Sequence, residues 1–200
     1  MKNIIFGFAI AAITLAACKN TNNNPVENQK INKDTVLVKP QSDTVTTPSV
    51  VDVNNPVSIK EIVSTYIQLK NAFTRDNTNA AATSGISLEA AFKNFDKTGL
   101  AVQQKKVFED VADDAKEHAE HIGKNGGNIA HQREHFEMLS KDMADLIKTF
   151  GNGGQTLYKD FCPMYNDGKG AYWISETKDI KNPYLGKAMP ACGTMKEEIK

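Results

Sequence analysis

The chain has 200 residues, with 24 acidic and 24 basic side chains and four histidines. That balance excludes a basic footprint for nucleic acid, and no segment repeats at solenoid or propeller spacing. The length suits one ordinary domain plus a leader and tether.

In chain order, Lys2 precedes an apolar run from Ile4 to Ala17 that is too short to span a bilayer, the pattern of a signal peptide over residues 1–17. Leu15-Ala16-Ala17-Cys18 resembles a bacterial lipobox, in which small residues fit the signal peptidase and the cysteine thiol takes a diacylglycerol. Lipidation at Cys18 would place the protein in the cell envelope, facing the periplasm or the exterior. Acyl chains, and not a spanning helix, would then be its membrane contact. Residues 18–56 are rich in Asn, Thr, Val and Ser, with prolines at 25, 40, 48 and 56 and no repeating apolar face. Such a segment reads as a flexible tether, about 35 Å root-mean-square if coil-like. Its Val-Thr alternation leaves open a strand paired elsewhere.

Residues 57–200 form the expected domain, a mainly α, up-and-down four-helix bundle with a small C-terminal β-hairpin and loop cap. Ser58-Ile-Lys-Glu61 has the capping-box pattern, followed by Ile59, Ile62, Val63, Tyr66, Ile67 and Phe73 at helical spacing. Ala81, Gly85, Leu88, Phe92 and Phe95 make a second stripe, with small residues that permit close helix approach. Phe108, Val111, Ala115, Ala119 and Ile122 make a third, stopped at Gly123. Asn128 caps a fourth, whose stripe is Ile129, Gln132, Phe136, Leu139, Met143, Leu146 and Phe150, closed by Gly151. Short connections between the helices favour antiparallel neighbours. Two aromatic segments, 157–162 and 171–174, flank Asn166-Asp-Gly-Lys-Gly170 as a hairpin. Pro and Gly stops follow in a loop.

The chemistry-bearing residues fall into two sets. With Cys18 lipidated, Cys162 and Cys192 are the remaining thiols. In an oxidising compartment they suit a disulfide closing about thirty residues. Their neighbours suit something else: Met164 lies two residues after one thiol, and Met189 and Met195 lie three either side of the other. Thiolate with thioether selects Cu(I) or Ag(I), and Trp173 would be a cation–π wall. Core filling is the alternative role for the methionines, and hairpin anchoring for Trp173. The second set is His118, His121, His131 and His135. His131 and His135 are one turn apart, with Met138 and Asp142 continuing their face, and this i, i+4 pair suits Zn(II) or Cu(II) as half a site. His118 and His121 sit just before the turn, so all four are able to meet at one end of the bundle, or else to line a solvated face. "HQREH" (131–135) also matches the inverted zinc-peptidase pattern H-x-x-E-H. No downstream acidic ligand supports it, and no enzyme activity is expected.

From about Ile59 to Cys192 the chain resembles a bacterial domain of unknown function found in envelope lipoproteins and fused to copper/silver efflux adaptor proteins. The segments "HQREHFEMLSKDMADLIKTFG", "LYKDFCPMYNDGKGAYWIS" and "KNPYLGKAMPACG" carry that resemblance. It implies metal handling by association, with an efflux adaptor as partner and His131, His135, Cys162, Met164, Trp173, Met189 and Cys192 as the matching positions. The combined expectation is a lipid-anchored protein that binds copper or silver ions for buffering or hand-over. The alternative is a structural or protein-interaction module stapled by a Cys162–Cys192 disulfide.

Overall fold

The computed structural model describes residues 57–200. The expected signal peptide, the expected lipidation site Cys18 and the expected tether up to residue 56 lie outside the described residues. Four helices follow in order: α1 (Lys60–Thr74), α2 (Thr78–Lys93), α3 (Val102–Lys124) and α4 (Ile129–Phe150). Three strands complete the chain: β1 (Leu157–Cys162), β2 (Ala171–Ser175) and β3 (Thr194–Ile199). Consecutive helices pack on one another, as their short connections require. Among the described residues no helix is long and apolar enough to cross a membrane.

The helical stripes are buried largely as their period dictates. All six apolar residues expected on α1 are in the core, and α4 buries Gln132, Phe136, Leu139, Met143 and Leu146. Asn128 caps α4, accepting the His131 N–H at 3.3 Å. The start of α1 differs from the capping-box expectation. The helix begins at Lys60, and Ser58 Oγ accepts the N–H of Lys60 at 3.2 Å in place of one three residues on. One orphan donor is still satisfied, so the cost of the shorter cap is small. Between α2 and α3, Gly85 lies against the backbone of Ala119 and Gly123, so a Cβ at Gly85 would meet main chain at about 2.8 Å. That contact holds α2 and α3 at close range.

α1 and α4 meet through side chains. Phe136 has ring centroids of Tyr66, Phe73 and Tyr184 at 5.4, 5.0 and 5.6 Å. Such an aromatic cluster supplies much of the apolar burial that holds α4, and with it the histidines, in place.

The cap is a three-stranded antiparallel sheet in the order β2-β1-β3, one strand more than the expected hairpin. β3 pairs with β1 from Leu157↔Ile199 to Phe161↔Thr194, with an irregularity at Lys159/Asp160. It escapes a pattern search because Thr194-Met-Lys-Glu-Glu-Ile199 is largely exposed and has no apolar alternation. Charged side chains of this kind also protect a free sheet edge. The opposite edge, β2, is closed by tyrosines. Tyr66 Oη accepts the Ile174 N–H at 3.2 Å, and Tyr184 Oη donates to the Tyr172 carbonyl at 2.5 Å. Two backbone groups of the edge strand are thereby satisfied by the bundle and the cap loop.

Candidate metal centre

The turn at residues 125–128 folds α4 back along α3, and the histidines near that turn come together. His121, His131 and His135 each offer a ligand atom, and these atoms lie within 4.8 Å of one another. The rings of His121 and His135 stack at 4.4 Å, and those of His131 and His135 meet edge-on at 4.7 Å. All three are half-buried, so the cluster opens to solvent on one side. Three imidazoles with an open fourth position form a donor set that suits Zn(II) or Cu(II) and permits exchange.

Burial, reinforced by the three neighbouring imidazoles, pushes His135 down to about 4. Its ring is therefore neutral at pH 7, the form a metal ligand requires. His131 Nδ1 lies 3.2 Å from Glu134 Oε2, which ties the glutamate of "HQREH" to an imidazole. The fourth histidine, His118, has its Nδ1 3.2 Å from the Nδ1 of His135 and stands outside the triad. Farther along the seam, burial and the carboxylates of Asp114 and Asp145 push Asp142 up to about 6. Met138 on the same face is exposed.

His131 and His135 are thus brought together, as their spacing requires. His121 is the member that helical spacing alone does not reach. Its signal is the symmetry of a tight helical hairpin, since residues equally far from the turn face each other. A second residue outside the expected set, Arg133, lies between the two α4 histidines. Its guanidinium donates to Asp76 Oδ1 at 2.6 Å, to the Phe73 carbonyl at 3.0 Å and to the Pro183 carbonyl at 2.8 Å. These bonds join α4 to the end of α1 and to the cap loop. Gly186, at φ +52°, fits against this ion pair where a Cβ would strike the Asp76 carboxylate.

The sulfur residues gather in part. Cys162 is fully buried on β1, Cys192 is half-buried, and their Sγ atoms are 3.1 Å apart as free thiols. Asn182, itself buried, holds the loop in place by donating to the Cys192 carbonyl at 2.6 Å. The Cys162 sulfur, then burial, push the Cys192 thiol up, while the Met164 N–H acts the other way. The separation is intermediate between two chemistries. A disulfide needs about 2.05 Å, whereas one ion held tetrahedrally by both sulfurs at about 2.3 Å would set them roughly 3.7 Å apart. The side chains of Met164 and Met189 are 58% and 39% exposed. Trp173 is wholly buried, edge-on to Tyr184 at 6.0 Å and against Gly193. Neither cysteine joins the histidines in the cluster described above, which is the one such group among the described residues.

Fold and site together define a helical bundle with a three-stranded cap and a histidine triad on the α3–α4 seam. Residues 62–155 match the model of a family described as "Protein of unknown function (DUF3347)". The match runs from α1 through α4 and ends before β1, so it takes in all four histidines and leaves out Cys162 and Cys192. No curated protein and no solved structure matches the chain.

Proposed function

We propose that this is a lipid-anchored envelope protein that binds transition-metal ions, copper foremost, and buffers them or passes them to an efflux adaptor. The observation that carries the reading is the convergence of His121, His131 and His135 within 4.8 Å. Imidazole accepts Cu(II) and Zn(II), while thiolate and thioether accept Cu(I) and Ag(I), so copper is the ion that both donor sets of this chain suit. A three-ligand site facing solvent favours exchange over permanent retention, as hand-over requires. Membrane attachment through Cys18 would keep such a carrier beside an efflux complex.

The sulfur pair supports two roles. Reduced, Cys162 and Cys192 with Met164 and Met189 are the soft ligands for Cu(I) or Ag(I). Oxidised, the two cysteines staple β1 to the cap loop, and the 3.1 Å separation of their sulfurs lies between the two geometries. Competition titration of the metal-free protein against a chromophoric Cu(II) chelator tests the function. One ion taken up per chain, and lost in His131→Ala/His135→Ala, is the expected result. Failure to compete at any chelator concentration would remove the proposal.

A further inference from the structure

Each triad histidine has one ring nitrogen near a neighbour outside the triad. His131 Nδ1 is 3.2 Å from Glu134 Oε2, and His121 Nε2 is 3.8 Å from Glu117 Oε1. His135 differs, because the group 3.2 Å from its Nδ1 is another imidazole, the Nδ1 of His118.

Two neutral imidazole nitrogens at that distance share one proton, with one ring donating and the other accepting. The two arrangements have different consequences. If His118 donates, the Nδ1 lone pair of His135 is consumed and its own proton sits on Nε2, so His135 has no lone pair left. If His135 donates, its Nε2 lone pair is free for an ion. Ligating histidines generally give their second N–H to an acceptor that fixes tautomer and ring orientation.

We propose that His118 is a positioning residue: its Nδ1 accepts the Nδ1–H of His135 and so holds His135 in the tautomer that presents Nε2 to a Zn(II) or Cu(II) ion. This inference rests on the triad being a metal site. His118 lies one turn before His121 on α3 and is half-buried, which restrains its ring. The carboxylates of Glu117 and Asp114 lie near enough to act on His118 through their charge.

The test uses full-length apo-protein in detergent, titrated with Zn(II) against a competing chelator, with Cu(II) electron paramagnetic resonance to count bound nitrogens. His118→Ala should weaken Zn(II) binding roughly 10–100-fold, whereas His118→Asn, whose amide oxygen replaces the Nδ1 acceptor, should stay within about threefold of wild type. Both should still bind one ion with the wild-type nitrogen count, while His121→Ala loses a nitrogen. Nitrogen-15 spectra of the wild-type Zn(II) form supply a readout independent of any variant's folding, and should show His135 protonated at Nδ1. Unchanged affinity in His118→Ala, a nitrogen lost in that variant, equal weakening in His118→Asn, or His135 protonated at Nε2 would each overturn the inference. Those results leave the triad standing, whereas a wild-type protein that binds no ion removes the metal reading itself.

Discussion

Oxidation of Cys162 and Cys192 is a perturbation whose size follows from the chain. Their sulfurs are 3.1 Å apart, and the residues lie 30 positions apart in sequence. Bond formation requires the sulfurs to approach by about 1 Å. Cross-linking a loop of about thirty residues removes chain entropy from the unfolded state worth roughly 3.7 kcal/mol at 25 °C, before any native strain. For a domain of this size each kcal/mol moves Tm by about 3 °C, so the oxidised protein should melt roughly 10 °C above the reduced one. The exchange is balanced: one oxidised glutathione accepts two electrons and two protons from the dithiol and leaves as two reduced glutathiones. Scanning calorimetry in excess oxidised glutathione and in excess reductant, with thiol counting on each sample, reads the difference. Cys192→Ser should show no dependence on the redox buffer. Thiols that stay free in oxidised glutathione, or a Tm that falls on oxidation, would refute the staple and leave the pair as a reduced ligand set.

Other consequences follow from the buried polar groups. Asp160 is wholly buried with no hydrogen bond to either carboxyl oxygen, and burial holds it up to about 6, partly opposed by Lys70. The folded state therefore binds the proton more tightly than the unfolded chain, and stability falls as pH rises from about 4 to 6, by up to roughly 3 kcal/mol. Asp160→Asn should gain about 1–3 kcal/mol at pH 7 and nothing near pH 4, read by urea unfolding at both; a loss at pH 7 would show that the carboxylate is required. Arg133→Ala strands Asp76 and two carbonyls, and should cost about 2–4 kcal/mol in urea unfolding, with Arg133→Lys a poor substitute. Gly186→Ala places a Cβ in the Asp76–Arg133 pair at a positive φ, and should cost about 1–3 kcal/mol in the same assay.

What was legible in the chain was what local spacing controls. Ile62, Val63 and Tyr66 on α1, or Phe136, Leu139 and Met143 on α4, repeat at helical intervals and are buried accordingly. The same period places His131 and His135 on one face. β3 was not legible, because Thr194–Ile199 is a strand only through its pairing with β1 and has no apolar face of its own. The choice of His121 over His118 as third member depends on how two helices turn about Lys124–Asn128, which no single-helix pattern contains. Arg133 and Gly186 act through contacts with residues 50 or more positions away, beyond the reach of spacing. The two thiols were recognisable as a pair, yet their separation and the exposure of Met164 and Met189 are products of the folded cap.

The metal reading assigns His121, His131 and His135 to one exchangeable ion. Native mass spectrometry of the metal-free, full-length protein titrated with Cu(II), beside a His121→Ala/His131→Ala/His135→Ala variant that keeps the wild-type circular dichroism, tests it most directly. One bound ion in the wild type and none in the variant is the expected result. No bound ion in the wild type, or one retained in the variant, would contradict it.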